Sequence, residues 1–216
     1  MKHLFGSHAE PRHRCRYLVT AALAGLAATA MLCRVHPLSA QDKNVSDNTT
    51  TPAKKKDLIV TRVFDAPVEL VWRAWTDPEH VKLWWGPDRF TCPSAMIDFR
   101  EGGTSLVCMR APKEFGGQDM YSTWAYTKIT PKKSFEYIHN LADKDGNKAD
   151  PLKLGLPADF PKDQRHTVTF KDLGNGKTEM TVVEYGWTVG KMLELSEMGL
   201  GQCLDKMAAS FRKVTK

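Results

Sequence analysis

Residues 189–214 read VGKMLELSEMGLGQCLDKMAASFRKV, and the spacing within them decides the fold. Leu193, Leu200, Leu204, Met207 and Phe211 recur on one stripe. Met192, Leu195, Gly199 and Cys203 lie beside it, so the period is helical. At 1.5 Å per residue this helix is about 40 Å long. A helix of that length with one apolar stripe has to be covered by another layer.

The chain ahead of it supplies a sheet. Residues 58–64 are β-rich and read as a first strand. Asp65-Ala66-Pro67 opens a helix over 67–75, where Val68, Val71, Trp72 and Trp75 keep helical spacing. Thr76 or Asp77 caps a second short helix that starts at Pro78 and ends at Gly86-Pro87. Strands are then expected at 93–99, 104–110, 120–130, 134–141, 166–172 and 178–185, with turns at 100–103, 131–133 and 173–176. Residues 142–165 carry Pro151, Pro157 and Pro161 and read as a loop with one short helical turn. The expected fold is α+β. A curved antiparallel sheet of six to seven strands wraps around a long C-terminal helix, two short helices follow the first strand, and a cavity lies between the layers.

Upstream of the domain, residues 1–16 hold four basic residues and one acid, and Tyr17 to Cys33 carries no charge. Pro37-Leu38-Ser39-Ala40 then gives a small-residue exit. This order reads as a secretory signal peptide over 1–40, cleaved after Ala40, and hence as a periplasmic or secreted protein. A leader retained as an anchor is the alternative, and it would be the chain's only contact with a membrane. Residues 41–56, QDKNVSDNTTTPAKKK, offer almost no apolar surface and read as a flexible linker to a domain over 57–216. Most of the net charge of +6 lies in the leader, which removes the case for a nucleic-acid partner.

Chemistry is sparse in the motifs. The histidines after the leader, His80, His139 and His166, are not spaced as metal ligands, and no Cys-x-x-Cys occurs. Asp143-Lys144-Asp145-Gly146-Asn147 lacks the glycine and glutamate positions of a calcium loop. No Gly-x-Ser-x-Gly is present, and no cofactor is implied. Cys92 and Cys108 flank the 100–103 turn symmetrically, so a cross-strand disulfide is one option and two buried thiols the other.

What remains is a soft, aromatic set that suits a flat or apolar ligand: Trp84, Trp85, Met96, Met109, Met120, Trp124, Tyr126, Tyr137, Met180, Met192 and Met198. The same residues could simply fill the core. Gly199 and Cys203 on the long helix, with His139 and Glu184 on strands, complete the predicted lining. Met180, Val182 and Glu184 share one strand face, as do Tyr137 and His139. If that face looks inward, Glu184 is a buried carboxylate, and Glu184 with His139 or Tyr137 is the one candidate acid–base pair.

Several of these stretches together resemble a known family. Phe64-Asp65-Ala66-Pro67, Val71-Trp72-Arg73-Ala74-Trp75-Thr76-Asp77-Pro78 and Trp84-Trp85-Gly86-Pro87 resemble the opening of the START-like (SRPBCC) helix-grip superfamily. Within it they look most like homologues of the activator of the ninety-kilodalton heat-shock-protein ATPase. Ile97-Asp98-Phe99-Arg100-Glu101-Gly102-Gly103 resembles the first hairpin of that branch, and Glu184-Tyr185-Gly186-Trp187 its last strand exit. The resemblance spans about 57–214 and implies the helix-grip fold. The superfamily it points to includes lipid carriers, hormone receptors and cyclases, so three functions follow as expectations. The first is an exported protein that binds a small apolar or aromatic ligand. The second is a cyclase- or hydrolase-type enzyme using Glu184. The third is a protein-interaction module of the ATPase-activator type.

Overall fold

The computed structural model describes residues 53–214. The expected leader, and all but the last few residues of the expected linker, fall outside them. Strand β1 (Lys55–Phe64) leads into helices α1 (Val68–Thr76) and α2 (Pro78–Trp84). Then come β2 (Thr91–Met96), β3 (Thr104–Arg110), β4 (Asp119–Thr130), β5 (Ser134–Ala142), β6 (Gln164–Gly174) and β7 (Lys177–Thr188), and finally α3 (Lys191–Val214). The seven strands form one antiparallel sheet in the order β1-β7-β6-β5-β4-β3-β2. The expected α+β architecture is thus the observed one. The 142–165 stretch holds a short 3-10 turn at Pro151–Leu154, as read from its prolines.

The two short helices are parted by one residue. Asp77 takes an extended conformation, closes α1 with its N–H on the Arg73 carbonyl, and accepts from the Glu79 N–H at 2.9 Å to cap α2. Pro78 enforces this break, because the residue before a proline is pushed out of helical space. Strand β1 starts at Lys55, inside the expected linker, because Lys55 Nζ donates to Thr188 Oγ1 at 2.8 Å and the backbone pairs with β7.

The core is aromatic. Trp75 of α1 packs edge-on against Trp84 of α2 and Phe135 of β5, with ring centroids 4.7 and 5.4 Å away, and meets Trp124 of β4 at 5.7 Å. Its indole N–H points at Met180 Sδ of β7, 3.2 Å away. Helix α3 buries Leu193, Leu200, Cys203, Leu204, Met207 and Phe211, so the predicted stripe is the packed one, while Leu195 is exposed. Phe211 meets Phe64 of β1 at 5.5 Å. Halfway along, Lys206 Nζ donates to the carbonyls of Gly86 and Phe90 at 2.8 and 2.9 Å, and Gln202 Oε1 accepts from the Asp88 N–H at 3.0 Å. These bonds hold the loop after α2 against α3.

Neither Gly199 nor Gly201 is pressed tightly against a neighbour. A Cβ at Gly199 would meet only Pro87 Cβ at 4.0 Å, and one at Gly201 would meet the guanidinium of Arg62 at 3.6 Å. Arg62 crosses over Gly201 to Asp205 at 3.4 Å. Both separations are ordinary contacts, so neither glycine is required by packing. Gly199→Ala and Gly201→Ala should each stabilise the fold by about 0.5–1 kcal/mol, the helix-propensity difference. Urea unfolding of the single variants checks this, and destabilisation by either would mean that the helix is closer to its neighbours than this.

Candidate functional site

The polar groups of the interior come from a row of side chains that runs across the sheet. Cross-strand pairing sets Glu184 (β7) beside His166 (β6), His166 beside Tyr137 (β5), and Tyr137 beside Tyr126 (β4). One step along, Gln164, His139 and Trp124 form a second row. The predicted sharing of a face by Tyr137 and His139 is therefore real, and Glu184 does look inward.

A backbone irregularity completes the arrangement. Lys56 pairs with Trp187 but Leu58 pairs with Glu184, so β7 has one extra residue opposite Asp57. Gly186 takes φ +74° there, and its N–H is held by Asp57 Oδ1 at 2.9 Å. This bulge turns Glu184 and Trp187 to the same side. Trp187 Nε1 then donates to Glu184 Oε2 at 2.9 Å, and Ser196 Oγ of α3 donates to the same oxygen at 3.0 Å. Glu184 Oε1 faces His166 Nδ1 at 3.9 Å, beyond hydrogen-bonding distance.

The tautomer of His166 follows from its neighbours. Gln164 Nε2 donates to the Tyr185 carbonyl at 3.1 Å, which fixes the amide and leaves its oxygen facing His166 Nε2 at 3.1 Å. Nε2 must then carry the proton, and Nδ1 accepts from the Tyr137 hydroxyl at 3.0 Å. Burial holds His166 well below its ordinary pKa, with a further push from His139, so the ring is neutral. Burial also lowers His139, to about 4. The Tyr137 hydroxyl is pushed well up by burial and by the Glu184 charge. Burial raises Glu184 from 4.5 to about 7, against the pull of the two donated hydrogen bonds.

The remaining predicted residues separate into three groups. Trp85, Met109, Met120, His139 and Met192 lie on the concave side or against the core, yet keep some accessible surface. Met109 and Met120 are direct cross-strand partners, and Met109 lies by Gly86 next to Trp85. Trp84, Met180, Tyr126 and Cys203 are core. Trp84 Nε1 donates to the Ala74 carbonyl at 2.7 Å, and the Tyr126 hydroxyl bonds Ser105 Oγ at 2.9 Å. Met96 and Met198 lie outside, 61% and 56% exposed. For Met96 the reason is a register shift between Thr91 and Ser94. It reverses the alternation, so that Ala95 and Ile97 pack on the core and Met96 pairs with Leu106 on the other face. Gly199, placed in the predicted lining, has only Pro87 within reach of its missing side chain.

Cys92 and Cys108 are free, buried thiols, because Ser94 rather than Cys92 stands opposite Cys108. Burial raises the thiol of Cys92 to about 11 and that of Cys203 likewise to about 11. Among the described residues no group of three His, Cys, Asp or Glu is placed to hold a metal ion, and no helix is long and apolar enough to cross a membrane. Asp143 Oδ1 accepts from the Asp145 and Asn147 N–H groups, the polar turn expected from its sequence.

Clefts of about 480 and 410 Å³ open elsewhere on the surface. The first lies among Lys55, Phe160, Lys162, Arg165 and Tyr185, and reaches the polar row through Gln164. The second lies between β1 and α3 around Arg62, Met198 and Asp205. Sequence reasoning missed Gln164, Ser196 and Trp187 as partners of the polar row, and took His166 only as a failed metal ligand. The pairing of His166 with Glu184 was recoverable, since both stand nine residues from Asn175 at the hairpin turn.

Residues 65–212 match the family model described as Activator of Hsp90 ATPase homolog 1-like protein. The chain belongs to this family. Solved structures agree. A protein of Chromobacterium violaceum is 26% identical, with a TM-score of 0.57 over 71% of this chain and 94% of that one. A protein of Nitrosomonas europaea is 22% identical, with a TM-score of 0.57 over 74% and 96%. The AHSA1 protein of Silicibacter pomeroyi is 19% identical, with a TM-score of 0.57 over 73% and 98%. The last two likenesses speak for the fold alone. A comparison with curated proteins gives no match. The AHSA1-like family lies in the helix-grip superfamily that the opening motifs resembled.

The raised pKa of Glu184 has a defined sign. The folded chain keeps a proton that the unfolded chain loses above pH 4.5, so this group's contribution to stability is full below that pH. It falls as pH rises through about 7. His139 and His166 act oppositely, because their lowered values destabilise the fold as pH falls below 6.5. The difference between wild type and a variant isolates the carboxylate. Glu184→Gln should gain on wild type by roughly 2–3 kcal/mol between pH 5 and pH 8. Urea melts across that range measure it, and a difference that stays constant with pH would show that Glu184 is not the titrating group.

Proposed function

We propose that the domain binds a small apolar or aromatic molecule in the hollow between the concave face of the sheet and α3. One observation carries this reading. His139 stands beside the fully buried Trp124 and shares its strand face with buried Tyr137, yet the residue keeps some accessible surface. A residue placed in this way suits the wall of a hollow better than a packed core. Trp85, Met109, Met120 and Met192 are partly accessible in the same way and would supply adaptable apolar walls. Family membership supports the reading at the level of the fold and leaves the ligand to the lining.

A neutral fluorescent probe such as N-phenyl-1-naphthylamine should bind saturably at one site. Met109→Trp, which fills the wall beside Trp85, should weaken that binding by about ten-fold or more while the thermal midpoint changes little. Absence of saturable binding to wild type would overturn the reading.

A second reading, acid–base catalysis, draws support from Glu184 alone. Its pKa near 7 suits proton transfer at neutral pH, and both of its donors reach Oε2 rather than Oε1.

The same proposal places the protein outside the cytoplasm, on the strength of its basic start, uncharged stretch and small-residue exit. Mature protein should begin near Gln41. N-terminal sequencing of protein from the extracytoplasmic fraction checks this, and an intact Met1 there would make the leader an anchor.

A further inference from the structure

The chain has six tryptophans. Three of them use their indole N–H inside the protein: Trp75 on Met180 Sδ, Trp84 on the Ala74 carbonyl and Trp187 on Glu184 Oε2. Trp85 and Trp124 do not. Both Nε1 atoms are buried, and neither has an acceptor. Such a donor costs about 1–3 kcal/mol when left open. Here two open donors are neighbours, with ring centroids 4.8 Å apart and planes at 81°. Trp124 is fully buried and stands cross-strand from His139, which keeps some accessible surface. Trp85 is partly accessible, and Met109 lies by the next residue, Gly86.

We propose that Trp85 and Trp124 form a two-donor subsite of the hollow, and that its ligand is a flat, neutral, largely apolar molecule carrying a carbonyl-type oxygen. This rests on the binding reading above and adds the polar handle by which the ligand is recognised. Neutrality follows from what surrounds the subsite. Glu184, His166, His139, Tyr137 and Tyr126 face the interior, and none of them is a cation at neutral pH. Lys206 directs its ammonium to the carbonyls of Gly86, Pro87 and Phe90. A carboxylate ligand would therefore meet Glu184 with no counter-charge, whereas a ketone oxygen needs only the two indole donors.

The test uses protein with 15N-labelled indoles, titrated with 9-fluorenone, fluorene and fluorene-9-carboxylate. Trp85→Phe and Trp124→Phe assign the two indole resonances while keeping aromatic bulk. The expected result is that saturating fluorenone moves both resonances downfield of their positions with saturating fluorene, whose shift comes from ring currents alone. Fluorenone should bind wild type on the order of ten-fold tighter than fluorene, the scale of one or two hydrogen bonds. That advantage should shrink in each variant. Equal binding of fluorene and fluorenone with the same indole shifts overturns the subsite and leaves the binding reading standing. Tightest binding by the carboxylate overturns the neutral ligand. Saturable binding of none of the three overturns the binding reading and the subsite with it. The wild-type shifts decide the matter even if a variant folds poorly.

Discussion

Trp75 is the side chain on which the assembly of this domain turns. It belongs to α1 but touches α2 through Trp84, β4 through Trp124, β5 through Phe135 and β7 through Met180. The helices it joins are too short to hold themselves in water. They exist because two indoles from consecutive helices are driven under the sheet together, and because Asp77 and Pro78 let the chain bend between them. Once α2 is fixed, the loop after it is fixed as well. The carbonyls of that loop then receive Lys206, which sets the lie of α3.

The interior is not uniformly apolar, and its polar part is ordered by pairing rather than by chance. Antiparallel register lines up Glu184, His166, Tyr137 and Tyr126 on adjacent strands. Each of the first three is then constrained by a neighbour: the carboxylate by Trp187 and Ser196, the imidazole by Gln164, the phenol by the imidazole. A buried row of this kind is tolerable only when its members satisfy one another. Against that completeness, the open donors of Trp85 and Trp124 stand apart.

Much of the architecture was legible in the sequence, because it rests on periodicity and punctuation. The stripe of α3, the Pro-marked starts of α1 and α2, and the hairpin at 173–176 all follow from local rules. The candidate site was legible in its members but not in its geometry. Glu184, His139 and Tyr137 were found by two-residue alternation, which holds on β5 and β7 up to the bulge. The same rule failed on β2, where a register shift sends Met96 outward. Gly199 misled for another reason. It was placed in the expected lining, but here its near neighbour is Pro87, at a distance any small side chain could keep. Bulges and the partners of helical glycines are set by contacts distant in the chain, and no local window contains them.

The sheet order places β1, the first strand, beside β7, the last. Lys55 and Thr188, which meet in that pairing, are 133 residues apart along the chain. Every other strand neighbour is the next strand in sequence, so β2 to β7 can assemble by successive hairpins. Closing β1 onto β7 is a different event: it joins the ends of a long loop and is entropically the slowest contact to form. Until it does, β7 is an exposed edge. A nascent chain therefore cannot reach its final topology before nearly all of the domain has been made, and the time spent waiting is when it is most open to pairing with other chains.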